Sequence, residues 1–176
     1  MERKITILKL FFEDPNKKYS IRELSRILKI NHTTVRKYLN KLVEEGFLSL
    51  KKEGMYSFYQ LVLHKKTLNL KLYYNLEKLR KSKIIEDLEK AYDLPVIVLF
   101  GSYAFAMDDL TSDIDLCLIS NIEKDFSTEK YKKKLNRKIS IHKFDKTAWE
   151  KAKKSNPDLI NNICNGVVLS GELEAV

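Results

Sequence analysis

Asp113 and Asp115 stand two residues apart at the head of the apolar run DIDLCLI. On a strand, positions i and i+2 share a face, so both carboxylates project together while Ile114 points the other way. Such a pair can hold a divalent metal. Aspartate is disfavoured inside strands and costly to bury unpaired, so a purely structural role has that penalty to overcome. Ten residues separate Asp113 from a Gly101-Ser102 pair, which itself follows PVIVLF (residues 95–100), a continuous apolar run with the length of a buried strand. A bare Gly101 lets a backbone turn approach a phosphate closely. A helix starting at Ser102 would offer unpaired N–H groups to the same anion. Phosphate and metal would then sit side by side.

The whole string, GSYAFAMDDLTSDIDL at residues 101–116, resembles the signature of the minimal nucleotidyltransferases of the polymerase-beta-like superfamily. The usual form of that signature is Gly-Ser-x-Ala-Arg-Gly followed by Ser-Asp-x-Asp-Leu. Gly101, Ser102, Ala104, Ser112, Asp113, Asp115 and Leu116 match it, whereas Phe105 and Ala106 stand where the family has Arg and Gly. The resemblance implies Asp113 and Asp115 as catalytic and metal-binding residues, with Mg2+ or Mn2+ as the metal. It implies Gly101, Ser102 and Ser112 as contacts of a nucleoside triphosphate. In competent members a third carboxylate comes from the strand that KISIHKF (residues 138–144) would form. No acid lies within it: Ser140 and His142 occupy the relevant positions, Asp145 lies just past them and Glu129 before.

The first part of the chain reads as three short helices. Ile5, Leu8 and Phe12 share a face before Asp14-Pro15 ends the first. Ser20-Ile21-Arg22-Glu23 is a capping box opening the second. Asn31 caps a third with Val35, Leu39, Leu42 and Val43 inward, stopped at Gly46. Two alternating segments around Glu53-Gly54 follow, in the form of a hairpin. This layout is similar to a winged helix-turn-helix DNA-binding domain. The outer face of the third helix places Thr33, Thr34, Arg36 and Lys37 for base edges in a major groove, with Lys51 and Lys52 on the hairpin near phosphates.

From about residue 66 to 92 there is no Gly or Pro, and Leu68, Leu72, Leu76, Leu79, Leu88 and Tyr92 recur at helical spacing. A long helix is expected, with a break near Lys81-Ser82. Its apolar stripe needs a cover, either the neighbouring domains or a second copy of the chain in a homodimer. The expected architecture is α+β with an α/β C-terminal part. It comprises a winged helix over 1–62, a connecting helix over 63–93 and a nucleotidyltransferase-fold domain with a small mixed sheet over 94–176.

Composition agrees with these partners. The chain has 176 residues, a net charge of +9 and a pI near 9.4, favouring DNA or nucleotide phosphates over cationic partners. Cys117 and Cys164 form no Cys-x-x-Cys pair, and His32, His64 and His142 show no ligand spacing, so neither a disulfide framework nor a zinc site is implied. The early apolar stretch is too short to span a bilayer. A cytoplasmic protein without membrane contact is expected.

Two functions compete. One is a DNA-binding protein that binds a nucleoside triphosphate and transfers its nucleotidyl group to a protein, such as a partner toxin, or to a small molecule. The other is a transcriptional regulator whose second domain has lost the chemistry and serves as a nucleotide sensor or dimerisation unit. Nucleotidyl transfer is the first expectation, whereas the missing strand acid and Phe105-Ala106 favour the regulator.

Overall fold

A computed structural model describes residues 2–173. The chain divides into two compact units, Met1–Lys71 and Leu72–Val176.

In the first unit, α1 (Glu2–Glu13), α2 (Ile21–Leu28) and α3 (His32–Glu44) precede a hairpin of β1 (Leu48–Glu53) and β2 (Tyr56–Leu61). The caps are those the sequence announces. Ser20 Oγ accepts from Glu23 N at 3.2 Å, and Asn31 Oδ1 accepts from Thr34 N at 2.8 Å. The Glu23 carboxylate meets Lys17 at 3.0 Å. Gly46, at φ +79°, turns the chain out of α3 toward β1. Phe11, Leu24, Val35, Leu39, Leu42 and Tyr59 are buried. Tyr19 pairs with Tyr59 as an isolated antiparallel bridge, which adds a third short rung to the wing.

The expected connector is two helices, α4 (Lys65–Ser82) and α5 (Ile84–Tyr92), broken at Lys83 in a left-handed conformation. The Ser82 hydroxyl serves the break, donating to Leu79 O at 2.6 Å and accepting from Ile84 N at 3.2 Å. Leu79 is buried as expected, but Leu68, Leu72 and Leu76 are only half-buried, and Asn75 is among the most buried side chains of α4. The reason is that Asn75 satisfies polar groups beneath it, as described below.

The second unit is a four-stranded mixed sheet in the order β5-β4-β3-β6, formed by β3 (Val96–Phe100), β4 (Ile114–Ile119), β5 (Ile139–Phe144) and β6 (Val167–Ser170). β4 runs parallel to β5 and antiparallel to β3, which in turn pairs antiparallel with β6. Alternation gives the sheet two apolar faces. Ile97, Leu99, Ile114, Leu116, Leu118 and Ile139 pack with α5, with Tyr103 and Ala104 of α6 (Gly101–Ala104), and with Tyr131 and Leu135 of α7 (Glu129–Leu135). Val98, Phe100, Cys117 and Phe144 pack on the other face with Trp149 of α8 (Lys146–Ser155) and with Ile160 and Ile163 of α9 (Pro157–Cys164). α7 is shorter than its basic run suggests, because Asn136 takes a left-handed C-cap, so Arg137 and Lys138 lead directly into β5. Among the described residues, no helix is long and apolar enough to cross a membrane.

Candidate nucleotide site

The register of the sheet brings the motif together. Phe100 lies opposite Asp115 across β3 and β4, and Asp115 lies opposite Ser140 across β4 and β5. Gly101, Asp115 and Ser140 therefore meet at one end of the sheet, where β3 finishes and β4 and β5 begin. Asp113 immediately precedes β4 at the same end.

Gly101 has φ +71°, and a Cβ built on it would lie 2.7 Å from Asp115 Oδ2. The absent side chain is thus required twice, by the left-handed backbone and by the neighbouring carboxylate. The sequence reading assigned that bareness to a phosphate; the structure shows Asp115 beside it. Ser102 is half-buried in the single turn of α6, and its carbonyl accepts from Met107 N at 2.9 Å. Ser112 adjoins Asp113, but its hydroxyl is engaged in its own loop. It donates to Asp109 Oδ1 at 3.2 Å and accepts from Asp109 N at 3.0 Å. Thr111 contributes a second pair of bonds to Asp109, which together hold that carboxyl below its ordinary range.

Both motif carboxylates face basic or hydroxyl groups of β5 and its approach. Lys138 Nζ donates to Asp113 Oδ2 at 2.9 Å, Ser140 Oγ lies 3.5 Å from the same oxygen, and His142 Nε2 lies 3.9 Å from Asp115 Oδ1. His142 also meets the Phe100 ring edge-on, with centroids 5.2 Å apart. Burial pushes the Asp115 carboxyl above its ordinary value; His142 and Lys138 pull against that, while Asp113 adds to it. Among the described residues, no three His, Cys, Asp or Glu side chains cluster in metal-ligand geometry. What β5 offers at the third position is the Ser140 hydroxyl.

The loop between α6 and β4 carries the two departures from the signature. Ala106 adopts φ +57°, a conformation for which glycine is suited, and is buried, while Phe105 is 47 % exposed. A buried polar network pins this loop. Asn75 Nδ2 donates to Tyr103 O at 3.1 Å and to Asp108 Oδ1 at 2.9 Å, and Arg137 pairs with Asp108 Oδ2 at 3.5 Å. Asp108 and Arg137 are almost wholly buried. Sequence reading passed over all three, since each lies in a different segment and no local spacing links them. The network ties the approach of β4 to that of β5, and so fixes Asp113 relative to Lys138 and Ser140. A cavity of about 830 Å3 lies elsewhere, at the far ends of β4 and β5 beside Ser120, Lys143 and Asp145. It holds none of the motif residues.

In the first unit, Thr33, Arg36 and Lys37 are exposed on α3 and Thr34 is half-buried at its start. Thr33 Oγ1 donates to Asn31 Oδ1 at 3.0 Å, so this hydroxyl is partly committed to the cap. Lys51 and Lys52 are exposed on β1, where Lys18 and Glu53 pair at 2.5 Å nearby. A cleft of about 610 Å3 between α3 and the wing is lined by Arg22, His32, Arg36 and Tyr56.

Comparison with known proteins accords with both units. The family described as bacterial regulatory protein, arsR family, matches residues 2–49. The family described as polymerase beta, nucleotidyltransferase, matches residues 82–173, just over half of the chain. A crystal structure from Rhodococcus sp. RHA1, described as a transcriptional regulator, is 16% identical with a TM-score of 0.34. The match covers 72% of this chain and 47% of that one, so the chain spans about half the length of that relative. No curated protein matches the sequence. The chain belongs to the polymerase beta nucleotidyltransferase family, and it carries an arsR-type helix-turn-helix ahead of that domain.

Proposed function

We propose that the protein is a DNA-binding transcriptional regulator whose nucleotidyltransferase-fold domain holds a magnesium-bound nucleoside triphosphate as a ligand. The observation that carries this reading is the pairing of Asp113 and Asp115 beside bare Gly101, with the Ser140 hydroxyl opposite them on β5. Two carboxylates and a hydroxyl are hard oxygen donors, the kind Mg2+ takes while keeping waters and phosphate oxygens as its remaining ligands. The same donor set accepts Mn2+. Asp113 and Asp115 would hold the ion, and when bound it would neutralise charge on the triphosphate. Lys138 pairs with Asp113 at 2.9 Å and compensates its charge in part.

Nucleotidyl transfer is the second reading, favoured by the intact carboxylate pair. A third carboxylate would help bring an acceptor hydroxyl to the α-phosphorus, and Ser140 brings no charge to that task. Titration calorimetry with ATP, GTP, CTP and UTP in Mg2+ separates the readings when combined with α-labelled nucleotide and lysate. Binding that vanishes in the Asp113→Asn, Asp115→Asn double variant, without label transfer, is the expected result. Label transferred to a protein or small molecule by the native chain, and not by the double variant, would make transfer the function. No binding of any triphosphate at millimolar concentration would refute the nucleotide reading outright.

DNA binding rests on α3 and the wing. If Arg36 reads a base edge, Arg36→Ala should cost about 1–3 kcal/mol on cognate duplex and relax its specificity. Lys51→Ala should instead weaken cognate and random duplex alike and lower the salt dependence. Gel-shift titrations at two salt concentrations tell the two effects apart.

A further inference from the structure

On the β5 side of Asp113, away from Gly101, lies a groove of about 250 Å3. One wall is the segment from Leu110 to Asp113. The other is the end of α7 and its turn into β5, with Lys132, Asn136, Arg137 and Lys138. Three cationic side chains thus share a small space with one carboxylate. They are held differently. Arg137 is buried and fixed by Asp108 at 3.5 Å. Lys132 is largely exposed, and its nearest carboxylate is the exposed Glu129 at 3.9 Å, a weak hold. Lys138 is committed to Asp113, the carboxylate that a divalent cation would take.

That commitment couples the two sites. A cation on Asp113 removes the attraction that holds Lys138 there, and the freed ammonium then joins Lys132 in the groove beside the Thr111 hydroxyl. The groove consequently becomes more cationic when the metal is present. We propose that it is a phosphate-binding subsite, distinct from the Gly101-Ser102 turn, in which Lys132 and Lys138 grip a phosphate group next to the metal-bearing carboxylates. The inference rests on the nucleotide reading for its metal, and it adds the place of a phosphate on the opposite side of β4. That phosphate comes either from the tail of the bound nucleotide or from a second phosphorylated ligand.

Inorganic tripolyphosphate is the probe, titrated calorimetrically with Mg2+ into the full-length native chain and into the Lys132→Gln, Lys138→Gln double variant. Loss of two charge-assisted contacts should weaken tripolyphosphate about tenfold or more, and Lys132→Arg, Lys138→Arg should recover most of it. Unchanged urea midpoints of the variants establish that their folds are intact. Competition between ATP and tripolyphosphate in the native chain assigns the groove to the nucleotide tail; simultaneous binding assigns it to a separate phosphate. Equal tripolyphosphate affinity in the native chain and the Gln variant, or no binding to either, overturns the proposal. ATP binding that needs Asp113 and Asp115, together with tripolyphosphate binding that ignores the lysines, would leave the nucleotide reading standing and remove the groove. Lysine-dependent tripolyphosphate binding in a chain that takes no ATP would do the reverse.

Discussion

Gly101 provides the sharpest test of how the site is built. In Gly101→Ala two costs arise that have different origins. The backbone at φ +71° is left-handed, which charges a residue with a Cβ about 1–2 kcal/mol. In addition, the new methyl would lie 2.7 Å from Asp115 Oδ2. A carboxylate at the end of a short side chain relieves that overlap by turning away from its preferred angle, at about 0.5–1.5 kcal/mol. The total is therefore about 1.5–3.5 kcal/mol in the native background. In an Asp115→Ala background only the backbone share survives, so the same glycine substitution should cost about 1–2 kcal/mol. The double-mutant cycle then yields a coupling of about 0.5–1.5 kcal/mol. The chain has a single tryptophan, Trp149, packed in the second unit, so its fluorescence during urea unfolding reports on the unit that contains all the altered residues. A Gly101→Ala cost that is the same in both backgrounds would show that the carboxylate does not occupy the space beside the glycine. The account of the site would then be wrong at its root.

Other consequences are open to simpler measurements. Arg137→Met strands the buried Asp108 charge and should lower stability by about 3–5 kcal/mol in urea titrations, whereas Asp108→Asn with Arg137→Met should restore much of the loss. Because the Asp115 carboxyl is raised in the folded chain, the folded state binds more protons than the unfolded state just above the ordinary value of 3.8, and stability falls as pH rises through that window. Asp115→Asn should accordingly be more stable than the native chain at pH 7, with the gain fading as pH drops toward 3.8; a gain that grows on acidification would contradict the sign. Burial pushes the Cys117 thiol up to about 12, while Cys164 is partly exposed. A thiol reagent at pH 8 should therefore label one of the two cysteines in the folded chain and both after denaturation.

Much of this was readable because it is local. Ser20 and Asn31 announce their helices through side chains that reach three residues along, and the αL stop at Gly46 needs only its own missing Cβ. The Asp-x-Asp pair shares a face through the two-residue period of a strand, which any sheet respects. Interactions across long sequence separations were not readable in the same way. The bond from Asn75 to Asp108 and the ion pair from Asp108 to Arg137 join segments about thirty residues apart, so the polar face of α4 contradicted a stripe drawn from leucine spacing alone. The contact between Gly101 and Asp115 was also hidden, since it depends on the β3–β4 register that lays Asp115 against the glycine. Ala106 is intermediate: the family signature has glycine there, and the positive φ shows why, although alanine accepts the strain.

The order of strands has a consequence for how the chain is made. β3 is an unbroken apolar strand, and one of its two neighbours, β6, is encoded near the other end of the domain. During synthesis, β3 and β4 can pair at once, but the other edge of β3 must wait until β6, which begins at Val167, has also been made. In that interval the nascent sheet presents a sticky border to any other unfinished chain. Release before residues 167–170 emerge would leave that border open, and aggregation rather than a merely weakened protein is the outcome to look for in such truncations.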